Sequence, residues 1–138
     1  MKKLLGAICL VLLMSSPVLA LDAGGIQVDV LAKSYSSWDG RLLPPYAEGP
    51  PEITVLRIQI APGAQLPLHE HPFINAGVLL RGTLTVITNQ NETLHLKAGE
   101  AIVEVVDKWH YGRNDGYEPA EIVVFYAGIV GQPITVKQ

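Results

Sequence analysis

The sequence predicts an all-β fold, a small sandwich or barrel. Short apolar runs with β-branched residues recur at intervals of roughly 8–12 residues, separated by Gly, Pro and Asn turn signals. Equally, no longer stretch combines a helical period with helix caps.

Taken in order, Ile26-Gln27-Val28-Asp29-Val30 alternates apolar and polar residues and reads as a short strand. Residues 34–51 are rich in Ser, Gly, Asp and Pro. With Trp38 and Tyr46 embedded, they read as an ordered surface loop. Residues 53–60 form a β-branched strand that ends at Ala61-Pro62-Gly63. Gly77-Val78-Leu79-Leu80 leads through the tight turn Arg81-Gly82 into a strand over 83–88. Asn89-Gln90-Asn91 turns into a strand over 93–96, and Lys97-Ala98-Gly99-Glu100 turns into another over 101–106. A last strand over 121–126 closes at Gly128.

The 138 residues carry 10 Lys+Arg and 13 Asp+Glu, a formal charge of −3, which offers no electrostatic footprint for nucleic acid. Residues 1–20 are expected to be a secretory signal peptide. Lys2 and Lys3 are its basic start, residues 4–14 its apolar stretch, and Val18-Leu19-Ala20 its cleavage site. That apolar stretch is too short to span a bilayer comfortably. Cleavage would leave residues 21–138, with 8 basic and 13 acidic residues and a net charge of −5. The single cysteine, Cys9, would be lost, so neither a disulfide nor a thiolate would remain. The expected location is the periplasm or the outside of the cell, with no membrane partner after cleavage. Residues 21–51 form an N-terminal arm and Trp/Pro-rich loop, and 52–138 the folded domain.

Four histidines remain. His69 and His71 are two residues apart, on one face of a strand-like segment. His110 follows 39 residues after His71 in Trp109-His110-Tyr111. Neutral imidazole is the commonest ligand of divalent transition metals, and three histidines from two strands could share one ion. An H-x-H pair alone is weak evidence, because surface histidine pairs are common. His95 alternates with Leu94 and Leu96 and reads as solvent-facing; Glu70 should point away from its flanking histidines. No nucleophile elbow, phosphate loop or paired-carboxylate signature is present.

Gly63, His69, His71, Asn75 and Gly82 reproduce the spacing of the first cupin motif, G-x5-H-x-H-x3-E-x6-G, with Asn75 in place of its glutamate. Gly99, His110 and Asn114 match the second motif, with Val105 and Asp107 replacing its proline and second glycine. Sixteen residues separate Gly82 from Gly99. From about residue 52 to 126 the chain thus resembles the cupin superfamily, and in particular small secreted single-domain bacterial members. The resemblance implies a single jelly-roll-like β-barrel. It also implies a divalent metal (Fe, Mn, Zn or Ni) held by His69, His71 and His110, a small-molecule ligand or substrate, and by analogy a homodimer.

The resemblance leaves two kinds of activity open. One is a metal-dependent enzyme, an oxygenase or isomerase of the cupin type. The other is a non-catalytic metal or small-ligand binding module of the cell envelope. Without the motif's glutamate, three imidazoles would leave the centre near +2 and favour small anionic ligands. Three-histidine sites occur among cupin-like oxygenases, so iron stays in the set.

Asn75 and Glu104 are the candidates for a fourth ligand or for a hydrogen bond to whatever binds. Asn75 could instead cap a turn. Glu104, inside the apolar run 101–106, could face the pocket as acid, base or substitute ligand. An exposed strand face is the default for such a charge. Asn114 is expected to order the turn after His110. Phe73, Trp109, Tyr111, Phe125 and Tyr126 are expected in the core or the pocket wall. Arg57, Arg81 and Arg113 could bind an anion, with solvated charge as the default reading.

Overall fold

The computed structural model describes residues 25–138, so the expected signal peptide lies outside the described residues. The expectation of an all-β fold is met. The strands are β1 (Pro51–Ile60), β2 (His69–Glu70), β3 (Asn75–Arg81), β4 (Thr83–Thr88), β5 (Thr93–Lys97), β6 (Ala101–Val103), β7 (His110–Arg113), β8 (Ala120–Ile129) and β9 (Val136–Lys137). They form two antiparallel sheets, ordered β1-β8-β3-β6 and β5-β4-β7-β2-β9.

Alternation along β1, β3 and β8 builds the core between the sheets. On β8, Ala120, Ile122, Val124 and Tyr126 are buried, and they meet Ile60, Leu79, Leu84 and Ile102 from both sheets. The long β1–β8 ladder runs in unbroken register from Pro51↔Ile129 to Ile60↔Ala120. The glycines of both cupin motifs adopt positive φ: Gly63, Gly82 and Gly99. At Gly82 space adds to the conformational demand, because a Cβ there would lie 2.8 Å from the Pro119 carbonyl oxygen.

Several expected elements change. Residues 26–30 form no strand, and Ile26 and Val30 are more than 60% exposed. Their alternation has no ladder partner among the described residues, and without one it does not make a strand. Leu31–Gln138 form one compact unit. The strand expected over 101–106 ends at Val103, because the chain then bends through Asp107, a positive-φ residue whose amide bonds the His71 carbonyl. The last long strand extends beyond 121–126 at both ends, and β9 follows it. Phe125, expected inside, is 46% exposed, because it faces outward on β8 between two buried neighbours.

The loop before β1 is pinned in place. The Trp38 amide donates to Val103 O at 2.9 Å, its ring packs on the core, and Ser36 bridges to Leu42. Asp39 in this loop receives a hydrogen bond from Lys108 Nζ at 2.8 Å, and the same ammonium pairs with Glu92 beyond β4.

Candidate metal centre

Strand pairing brings the three histidines together. β2 lies against β7 with His69 directly opposite His110, and the two ring centroids stand 4.5 Å apart. His71 follows two residues after His69, with its ring 4.9 Å from His69 and 5.1 Å from His110. One ring nitrogen from each residue lies within 4.8 Å of the others. Imidazoles on one ion, at roughly 2.1 Å each, stand up to about 4 Å apart, so small side-chain adjustments close the set around a cation.

The tautomers are fixed by the backbone. His69 Nδ1 faces Pro67 O at 2.7 Å, His71 Nδ1 faces Ile134 O at 2.9 Å, and His110 Nδ1 faces Lys108 O at 2.8 Å. A carbonyl only accepts, so each Nδ1 must carry the proton and donate. In the neutral ring that leaves the lone pair on Nε2. Backbone carbonyls hold metal-ligating histidines in this way in many sites. Thr135 Oγ1, 3.2 Å from His71 Nδ1, adds a side-chain contact there.

Burial keeps the rings neutral. It pushes His71 down to about 4 and lowers His69 and His110 as well. His110 Nε2 is fully buried and has no hydrogen-bond partner among the described residues. An orphaned, unprotonated nitrogen facing two further imidazoles fits a metal ligand set, and it is costly in any other role. The cavity beside the rings is about 40 Å³ and is walled mainly by Ile58, Leu66, Leu84, Val86, Val124 and Tyr126. Tyr126 meets His71 edge-on, its centroid at 5.2 Å.

Glu104 is the main correction among the site residues. It does not lie on an exposed strand face: it is 8% exposed, lines the cavity, and places Oε2 3.6 Å from His110 Nε2. The contact is not an ion pair, since burial holds His110 neutral and pushes the Glu104 carboxyl up to about 7. Its Oε2 is likewise buried without a hydrogen-bond partner. The signal for this placement is parity, because residue 104 shares the side of the chain that buries Ile102.

Asn75 is buried and turns its Nδ2 back to Phe73 O at 3.1 Å, a local cap; it does not line the cavity. Asn114 orders its turn through bonds to Ile60 O, Glu118 O and Gly116 N. His95 is exposed beside Thr85. Arg57, Arg81 and Arg113 pair with Glu121, Glu118 and Asp115 at the surface, and none lines the cavity.

A sequence profile described as "Cupin domain" matches residues 56–126. The chain belongs to the cupin family. Among curated proteins, this cupin is 33% identical over 82 residues to germin-like protein 8-14 of Oryza sativa subsp. japonica, covering 55% of the chain and 38% of that protein. It is 32% identical over 93 residues to the rhicadhesin receptor of Pisum sativum, covering 60% and 42% respectively. The cupin thus spans about two fifths of the length of these relatives.

Among solved structures, an oxalate oxidase in complex with the substrate analogue glycolate aligns with a TM-score of 0.53 and 28% identity, over 62% of this chain and 45% of that one. A double-stranded β-helix protein from Klebsiella pneumoniae aligns with a TM-score of 0.55 and 21% identity, over 69% and 89%, which speaks for the fold alone.

Proposed function

We propose that this cupin is an exported metalloprotein in which His69, His71 and His110 hold one divalent transition metal, Fe, Mn, Zn or Ni, for action on a small molecule. The observation that carries the reading is the tautomer lock: three rings, His71 and His110 buried and His69 half-buried, donate Nδ1–H to backbone carbonyls and leave three Nε2 lone pairs in one small space. A metal bound there would supply Lewis acidity toward a bound oxygen atom of water, substrate or dioxygen.

The chain's own residues set the rest. The aliphatic wall excludes bulk water and strengthens electrostatic interactions inside the cavity. Its size, about 40 Å³, admits a ligand of only a few atoms unless side chains move. The similarity to oxalate oxidase, a protein solved with glycolate, supports a small oxygen-rich ligand.

The same narrow cavity favours a second reading, a non-catalytic metal-binding module. Elemental analysis of protein purified without an affinity tag tests what the two share. One metal per chain is expected, with most of it lost in His110→Ala; equal occupancy in that variant would remove His110 from the site. Turnover in a screen of small carboxylates then separates enzyme from module.

Export rests on the leader-like residues 1–20, and a mature chain beginning at Leu21 by mass spectrometry is its expected signature. We propose a homodimer as well. Val55, Phe125 and Ala76 lie side by side across β1, β8 and β3 on the outer sheet face, and Val55 and Phe125 are exposed. A monomeric mass by light scattering would count against it.

A further inference from the structure

We infer that Glu104 supplies the anionic fourth ligand of the metal centre, replacing the missing motif glutamate from the position just past β6. The inference rests on the three-histidine reading and goes beyond it.

Register carries the first step. β3 pairs with β6 through Ala76↔Val103, Gly77↔Ile102 and Val78↔Ala101. The next pair in that register is Asn75 and Glu104, and the Glu104 amide donates to Asn75 O at 3.1 Å. Residues directly opposite in an antiparallel pair project to the same face, with Cβ atoms about 5 Å apart. The position where the first motif places its glutamate and the position that carries Glu104 are therefore cross-strand neighbours. Asn75 commits its Nδ2 to Phe73 O, and its Oδ1 finds no partner.

The second step is an electrostatic conflict. His110 Nε2 carries a lone pair, because its Nδ1 donates to Lys108 O. Glu104 Oε2 is an acceptor as well when ionised, and it lies 3.6 Å away. Both atoms are buried, and neither has a hydrogen-bond partner among the described residues. Two acceptors facing each other in an apolar cavity repel unless a proton or a metal cation sits between them. A divalent cation on the three histidines meets that need, and the carboxylate lowers the net charge of the site from +2 to +1. Among the described residues, no other acidic side chain and no lysine or arginine lines the cavity to do either job.

The test is Co(II) binding by the full mature chain, followed through its visible absorption and by titration. Glu104→Gln keeps shape and removes charge. It is expected to retain three imidazole ligands, to bind Co(II) at least about tenfold more weakly, and to change the visible spectrum. Parent-like affinity with a parent-like spectrum would overturn the assignment and point to a shared proton between Glu104 and His110. Glu104→Asp keeps the charge and withdraws it by one methylene. Its affinity should fall between those of parent and Glu104→Gln, and weaker binding than the glutamine variant would also overturn the assignment. Failure of the three-histidine reading looks different: the parent itself would then hold no Co(II), or His110→Ala would hold as much as the parent.

Discussion

Each histidine in the site is held in one tautomer by a backbone carbonyl and kept neutral by burial, and both conditions have consequences for pH. His71 stays unprotonated down to about 4, whereas an unfolded histidine takes up its proton near 6.5. Between those values the unfolded chain binds more protons, so this residue contributes stability at neutral pH that is lost as the pH falls through the window. Glu104 has the opposite sign. Burial raises it to about 7 from 4.5, so the folded state keeps a proton that the unfolded state has released, and stability falls as the pH rises through that range. In metal-free protein the two effects oppose each other, and a variant separates them. Metal-free Glu104→Gln should match the parent near pH 4 and become progressively more stable than it toward pH 7, by up to about 3 kcal/mol. Calorimetry in chelator across that range checks it, and a gap independent of pH would mean that the carboxyl is not desolvated. The three histidines were legible in the sequence because a metal ligand must be one of few residue types at fixed spacing. Glu104 was harder to read. A carboxylate within an apolar strand usually faces water, and only its parity with Ile102 and its pairing with Asn75 turn it inward.

At the level of elements, the site depends on turns and on one ion cluster. Gly82 and Gly99 both have positive φ, but a Cβ at Gly99 meets open space while one at Gly82 meets Pro119 O at 2.8 Å. Gly99→Ala should therefore cost about 1–2 kcal/mol, the ordinary penalty of a left-handed alanine, and Gly82→Ala distinctly more. Urea unfolding of both variants measures the difference, and equal losses would show that the Pro119 backbone yields freely. The motif glycines were readable because their conformational role is local. The Asp39–Lys108–Glu92 cluster was not, since it joins residues 69 and 16 positions apart in the chain. Lys108 also lends its carbonyl to His110 Nδ1, so the cluster steadies the segment that orients a site histidine. Lys108→Met would leave the Asp39 carboxylate, 3% exposed, without its cation. A loss of about 3 kcal/mol is expected, together with weaker metal uptake. Unchanged stability would mean that solvent reaches Asp39 as soon as the lysine is gone.

For the molecule as a whole, metal binding and folding should be linked, because the ligands come from distant parts of the chain. His69 and His71 precede β3, His110 opens β7, and the carbonyl that orients His71 belongs to Ile134, which lies between β8 and β9. The two-sheet fold was legible in strand periodicity and turn residues. The pairing that joins β2 to both β7 and β9 was not, because two-residue strands carry no period and depend on their partners. The unfolded chain cannot hold these groups together, so an ion bound only by the folded state stabilises it by mass action. At free metal about a thousandfold above Kd the gain is roughly 4 kcal/mol, which in a domain of this size raises Tm by on the order of 15 °C. Differential scanning fluorimetry of chelated protein against added Zn(II), Mn(II) or Ni(II) should show the rise, ordered by affinity. His110→Ala should abolish most of it, and it should also lower the metal-free Tm, because the variant empties the space of a fully buried ring and leaves Lys108 O without its donor. A Tm that ignores metal in the parent would uncouple the three imidazoles from any ion. A Tm that rises equally in parent and variant would place the ion elsewhere on the chain.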